Sequence, residues 1–143
     1  FNESTITQNG QDTLARVTQV GDDNTSIVTQ VGTSNVFGSG PNRGSSTVAN
    51  VTQNGSDGFS DIDQNGGQQL ATVTQLAGSD GMRSDILQRG RNQRASVTQA
   101  GTNTSNQLNS EIDQDGNGQR ATVVQDGDSR SFIFQRGQGN ESE

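Results

Sequence analysis

A glutamine returns along the chain at Gln8, Gln19, Gln30, Gln53, Gln64, Gln75, Gln88, Gln99, Gln114, Gln125 and Gln135, and six of the ten intervals between these residues are 11 residues long. The other four are 23, 13, 15 and 10 residues, so the period survives with extra length confined to connecting segments. Self-similarity at a fixed period is the mark of a repeat architecture, in which each unit buries its inner face only by stacking on its neighbours. Around each glutamine the pattern reads small residue, any, Val or Ile, any, Gln, any, Gly. Residues two apart share one face of a β-strand, so the small residue, the aliphatic residue and the glutamine point to one side and the intervening residues to the other.

The units alternate between two types. A Ser type carries Ser4, Ser26, Ser60, Ser84, Ser110 and Ser131, with Ile6, Val28, Ile62, Ile86, Ile112 and Ile133 two places on. An Ala type carries Ala15, Ala49, Ala71, Ala95 and Ala121, followed by Val17, Val51, Val73, Val97 and Val123. The true period is therefore about 22 residues holding two strands. A twelfth unit hidden between Gln30 and Gln53 would break the alternation, whereas a surface insertion at about residues 33–46 preserves it. That stretch contains the one Pro of the chain and a glycine cluster, which is loop chemistry.

The expected fold is all-β: a single parallel β-solenoid over residues 1–143 with two strands per rung of about 22 residues, two facing parallel sheets and about 5.5 rungs. Ten units place a glycine two residues after the glutamine (Gly10, Gly21, Gly32, Gly55, Gly66, Gly90, Gly101, Gly116, Gly127 and Gly137), where a turn through positive φ is expected. After Gln75 it slips one place, to Gly78. In an in-register stack each glutamine amide lies about 4.8 Å from an identical one, so it donates to one neighbour and accepts from the other. A second ladder is expected at the arcs, six places before the glutamine, from Asn2, Asn24, Gln69, Gln93 and Gln119. Thr13, Thr47, Gly58, Met82, Leu108 and Ser129 interrupt it.

Composition bounds the alternatives. Only 24% of residues are hydrophobic and 3% aromatic, too few for a large apolar core, and the repeats supply the order that such a composition otherwise lacks. The net charge of −7, with Arg scattered among acidic residues, argues against a nucleic-acid partner. No apolar run approaches the roughly 18 residues of a membrane helix, so no membrane insertion is expected. His, Cys and Lys are absent, which removes the usual nucleophile and base pairings; neither catalysis nor a cofactor is expected.

The spacing Gln-x-Gly-x-x-Asn/Gln-x-Ala-x-x-x-Gln, as from Gln88 through Gly90, Gln93 and Ala95 to Gln99, resembles the curlin repeat of bacterial curli fibre subunits. It recurs from Gln64 to Gln75 and from Gln114 to Gln125, and with Asn24 and a Ser from Gln19 to Gln30. The chain differs from the family pattern in placing Ser where the first strand type has a larger apolar residue, and Gln for Asn at several arcs. The resemblance implies a secreted functional amyloid of the biofilm matrix and bacterial cell surface, serving adhesion. It also implies a homopolymeric head-to-tail fibre aided by a nucleator subunit and an outer-membrane export apparatus. The chain opens and closes in repeat phase, with Asn2-Glu3-Ser4 and Asn140-Glu141-Ser142, so both solenoid ends are expected to template edge pairing.

The rival expectation is a monomeric solenoid that binds ice or calcium through one flat face. A threonine column at Thr18, Thr52, Thr74 and Thr98, broken by Val124, carries the first version; carboxylates at Asp61, Asp63, Asp85, Glu111 and Asp113 carry the second, with metal ligands otherwise unassigned. Phe132 and Phe134 are expected to face outward in the last full strand.

Overall fold

Short runs of alternating inward and outward residues, rich in Val, Ile and Thr and punctuated by Gly, Asn and Asp, favour strands joined by tight arcs over any helix. The computed structural model describes residues 1–32, 47–76, 81–101, 108–127 and 129–143. The expected insertion at 33–46 and the displaced Gly78 lie outside the described residues. Among these residues eleven strands follow one another: β1 (Glu3–Gly10), β2 (Thr13–Val20), β3 (Thr25–Gly32), β4 (Thr47–Asn54), β5 (Phe59–Gly67), β6 (Leu70–Gln75), β7 (Arg83–Arg91), β8 (Arg94–Ala100), β9 (Asn109–Asn117), β10 (Arg120–Asp126) and β11 (Arg130–Gln138). A two-residue β12 (Glu141–Ser142) comes last.

Odd-numbered strands form one sheet, in the order β1-β3-β5-β7-β9-β11, here called sheet A; even-numbered strands form sheet B, in the order β2-β4-β6-β8-β10-β12. All pairings are parallel, and no described residue is helical. The molecule is a β-solenoid in which each circuit of the chain adds one strand to each sheet. The register aligns like with like, as in Ser60↔Ser84, Ile62↔Ile86, Gln64↔Gln88 and Gly66↔Gly90 between β5 and β7. On sheet B, Ala71↔Ala95, Val73↔Val97 and Gln75↔Gln99 repeat the arrangement between β6 and β8.

The core lies between the sheets. Val28, Val51, Ile62, Val73, Ile86, Val97, Ile112 and Val123 are buried with Ala49, Ala71, Ala95 and Ala121, while Val17 and Ile133 are partly buried. Ile6 is 45% exposed because β1 has a neighbour on one side only. Met82 and Leu108, at the arc before β7 and β9, are also buried; as lone interruptions of a polar column they did not read as core in the sequence.

The arcs turn at a position seven residues before the glutamine. Asp12, Asp23, Asp57, Gln68 and Asn92 all have φ of 54–59°, and Gly81 and Gly118 take the same place at 73° and 70°. Asn, Asp and Gly tolerate this left-handed conformation best, so the column has a readable signature in residue type and offset.

Candidate functional site: the paired amide ladders

Each core glutamine leaves its strand toward the interior, where from Gln30 onward its amide is shielded from water. Gln30, Gln53, Gln64, Gln75, Gln88, Gln99 and Gln114 are fully buried, Gln125 and Gln135 nearly so, Gln19 is partly buried and Gln8 is exposed on the edge strand. In sheet A the Nε2 of Gln8 donates to Gln30 Oε1 (2.8 Å), and the relay continues Gln30 to Gln64 (2.9 Å), Gln64 to Gln88 (2.9 Å), Gln88 to Gln114 (2.9 Å) and Gln114 to Gln135 (2.8 Å). In sheet B it runs Gln19 to Gln53, Gln75, Gln99 and Gln125 at 2.8–3.0 Å. Every amide donates toward the C-terminal end of the stack, so both ladders share one polarity.

The second N–H of every ladder amide except that of Gln8 crosses to the other sheet. Gln64 donates to the Val48 carbonyl (3.1 Å), Gln88 to Leu70 (3.3 Å) and Gln114 to Arg94 (3.2 Å), each carbonyl belonging to the residue before the alanine of the facing strand. Reciprocally, Gln75 donates to Phe59 O (3.0 Å), Gln99 to Arg83 O (2.9 Å) and Gln125 to Asn109 O (3.1 Å). An interior glutamine thus uses both donors and its acceptor, and it ties its own sheet to the opposite one. In the low-dielectric interior such a closed network is strong, and the same groups left unpaired would be costly.

The arc residues divide into two columns rather than one. Asn24 donates to Asn2 Oδ1 (3.3 Å) and accepts from the Gly58 N–H (3.0 Å) at the arc leading into sheet A, a column that Met82 and Leu108 then continue as apolar packing. Gln69, Gln93 and Gln119 stack at the opposite arc, leading into sheet B, with Nε2 to Oε1 distances of 2.8 and 3.0 Å. This ladder begins at Gln69, whose Oε1 has no partner because Thr47 holds the adjoining position.

The glycines are required by close approach more than by turning. Gly21, Gly66, Gly90, Gly116, Gly127 and Gly137 have positive φ; Gly10, Gly32 and Gly55 do not. A Cβ on Gly10, Gly32, Gly66, Gly90 or Gly116 would nevertheless overlap the backbone carbonyl of the next glycine in its column, and one on Gly21 would overlap that of Gly55. Gly101 is buried at the end of β8. At Gly127 and Gly137 nothing lies within 4 Å of such a Cβ.

The inward serines of sheet A present a different balance. The hydroxyls of Ser26, Ser60, Ser84 and Ser110 are buried and have no hydrogen-bond partner, although alanine fills the equivalent place in sheet B. Ser84→Ala is therefore expected to stabilise the fold by about 1 kcal/mol, read as a higher urea midpoint, since it removes a desolvated hydroxyl and keeps the packing. An unchanged or lower midpoint would show that the hydroxyl finds a partner.

On the outer face of sheet A, Asp61, Asp85 and Glu111 form one column, and Asp63, Leu87 and Asp113 the next. Burial raises the pKa of Asp61, and the carboxylates of Asp85 and Asp63 raise it further against a smaller opposing effect of Arg83. A carboxyl whose folded pKa lies above its unfolded one resists ionisation only in the folded state. Stability should then rise as pH falls from the folded pKa toward the unfolded one, and be lost again as pH climbs. Asp61→Asn is expected to remove part of that dependence, measured as the slope of the urea midpoint between neutral and mildly acid pH. No group of three or more His, Cys, Asp or Glu side chains placed to hold a metal ion occurs among the described residues. On sheet B the register places Thr18, Thr52, Thr74 and Thr98 in one column before Val124. Phe132 and Phe134 are 54% and 62% exposed on β11.

Residues 2–32, which span β1 to β3 with their Gln8, Gln19 and Gln30, fit the family described as curlin associated repeat. Over these residues the chain is similar to the curlin repeat. The register shows that the small, aliphatic and glutamine columns of the matched segment continue through the rungs that follow it, as the glycine column does in sheet A. Neither the curated proteins nor the solved structures yield a match to the chain.

Proposed function

We propose that this chain is the structural subunit of an extracellular curli-like functional amyloid fibre, built by end-to-end stacking of copies along the solenoid axis. The observation that carries this reading is the state of the two ladders at their ends. Both run through the core with one donor direction, leaving Gln8 and Gln19 Oε1 as acceptors on the N-terminal face and the amides of Gln125 and Gln135 on the C-terminal face. A second copy laid on the C-terminal face brings glutamine Oε1 acceptors to these amides, where Gln135 in the single chain donates to Ser142 Oγ and the Arg120 carbonyl, and covers Ile6, Val17 and Ile133, so stacking extends the same hydrogen bonds and burial that hold each rung to the next. The curlin repeat supports the rest: export to the bacterial surface through an outer-membrane apparatus, seeding by a nucleator subunit, and a role in biofilm matrix and adhesion. The function is structural, with no catalytic step.

Gly137→Ala tests the stacking. Its Cβ meets nothing within the chain but points where the next copy's backbone must lie, as the Cβ of a residue at Gly116 would meet Gly137. The variant is expected to keep the strand signal of the monomer in far-UV circular dichroism and to lose fibre elongation, followed by thioflavin fluorescence and negative-stain imaging. Elongation at the wild-type rate would refute joining through this face.

A further inference from the structure

The two outer faces of the solenoid differ in what they present to a second copy. Along a strand of sheet B four residues point outward, as Arg120, Thr122, Val124 and Asp126 do on β10, so the face is a grid of four columns. The two middle columns hold only Thr, Ser, Asn and Val from β4 to β10; on β2 Arg16 stands beside Thr18. The edge columns carry exposed Leu14 on one side, exposed Val20 and Leu76 on the other, and the charges of Arg120 and Asp126 at the two edges of β10. Short, uncharged, largely β-branched side chains on a regular sheet form the kind of surface that packs dry against another sheet.

We infer that two copies of this chain pair side by side through this face, sheet B against sheet B, about a two-fold axis parallel to the solenoid axis. Such an axis reverses strand direction and keeps height along the stack, so the first column of one copy faces the fourth of the other and the second faces the third. Leu14 then meets Val20 of the second copy, Leu70 meets Leu76, Arg94 meets Ala100 and Arg120 meets Asp126, each contact occurring twice. Between these edges Thr72 meets Thr74 and Ser96 meets Thr98. No rung among the described strands sets like charges against each other, and β10 sets opposite ones. Arg120 has Glu141 at 3.5 Å within its own chain, and its five N–H donors suffice for both carboxylates.

The same operation applied to sheet A fails at rung after rung. Asp61 would face Asp63, Arg83 would face Arg89, Glu111 would face Asp113 and Arg130 would face Arg136. Sheet A laid on sheet B would press its carboxylates against the threonine columns, which offer no countercharge. Like-charge contacts exclude a wrong partner more strongly than an exposed ion pair holds the right one, so the charges select the face and the uncharged columns supply the contact.

This pairing uses a surface that end-to-end stacking leaves free, and it is measured separately. The chain has no Cys, so a single introduced cysteine reports the contact. With facing sheets about 10 Å apart, the two Thr74 positions of a pair come within about 12 Å of each other, whereas the two Leu87 positions, on the far faces, lie about 30 Å apart. Within one stack the strands from β2 to β10 keep equivalent sites of successive copies at least about 20 Å apart. Thr74→Cys chain treated with a short bismaleimide that spans only the first of these distances is expected to run as a covalent dimer on a denaturing gel, and Leu87→Cys chain as a monomer. In the Thr74→Cys background, Arg120→Asp and Asp126→Arg, both on exposed side chains, are each expected to cut the dimer at least about tenfold, because each sets like charges against each other. An equal mixture of the two variants is expected to restore it, since every facing pair is then opposite in sign. Dimer from Leu87→Cys at the level of Thr74→Cys, no dimer from either, charge variants that keep the dimer, or a mixture that fails to recover it would overturn the inference. Fibres that elongate as single solenoids would overturn it while leaving end-to-end stacking intact. Cross-linked pairs from a chain that never elongates would uphold the pairing and refute the stacking.

Discussion

Gln88→Leu is expected to lower the stability of the fold by about 3–6 kcal/mol, a loss comparable to the whole stability of many small domains. Leucine has nearly the same bulk, so little packing is lost, and the effect isolates the amide. The substitution strands three groups at once: a Gln64 N–H that donated to Gln88 Oε1, the Gln114 Oε1 that accepted from Gln88, and the Leu70 carbonyl across the core. Each unpaired buried group costs about 1–3 kcal/mol. Urea denaturation followed by circular dichroism checks the size. The same change at Gln68, the exposed neighbour of buried Gln69, should move the midpoint little. Equal effects at Gln88 and Gln68 would mean that the ladder contributes nothing.

The second large effect is expected at Gly90, where alanine should cost about 3–5 kcal/mol, enough to prevent assembly of β7 on β9. Two penalties combine. The residue has φ of 116°, which L side chains rarely adopt, and its Cβ would occupy the position of the Gly116 carbonyl in the next rung. Backbone cannot move aside there without parting β7 from β9, and the ladder bond between Gln88 and Gln114 runs through the same pair of strands. Comparing Gly90→Ala with Gly137→Ala separates the penalties, because at Gly137 the unusual φ is present and the clash within the chain is absent. The account predicts that the Gly90 variant populates unfolded chain in the absence of denaturant, while the Gly137 variant folds and fails only to elongate.

The eleven-residue recurrence carried most of the architecture. Because a strand has a side-chain period of two, the spacing from Ser60 through Ile62 to Gln64 assigns each residue to a face, and the Ser/Ala alternation assigns each strand to a sheet. What escaped the sequence was long-range geometry around the circumference. Asn24 and Gln69 occupy the same offset before a glutamine, yet they stand on opposite arcs and can never stack, since successive units belong to different sheets. The bond from Gln88 to the Leu70 carbonyl was also invisible, as a backbone acceptor 18 residues away carries no residue-type signal. Glycine's role was legible in place but not in cause: at Gly10 and Gly32 the demand comes from the neighbouring rung, which a single unit read alone does not contain.

Hydrogen exchange of the side-chain amides, resolved by NMR on glutamine-labelled chain, tests the central claim most directly. The Nε2 hydrogens of Gln64, Gln75, Gln88 and Gln99 are expected to survive in heavy water until the whole fold opens, whereas those of Gln11, Gln68 and Gln138, exposed on the same chain, exchange at the rate of free glutamine. Fast exchange of the interior set on folded protein would place those amides in water and leave neither the ladders nor the stacking built on them standing.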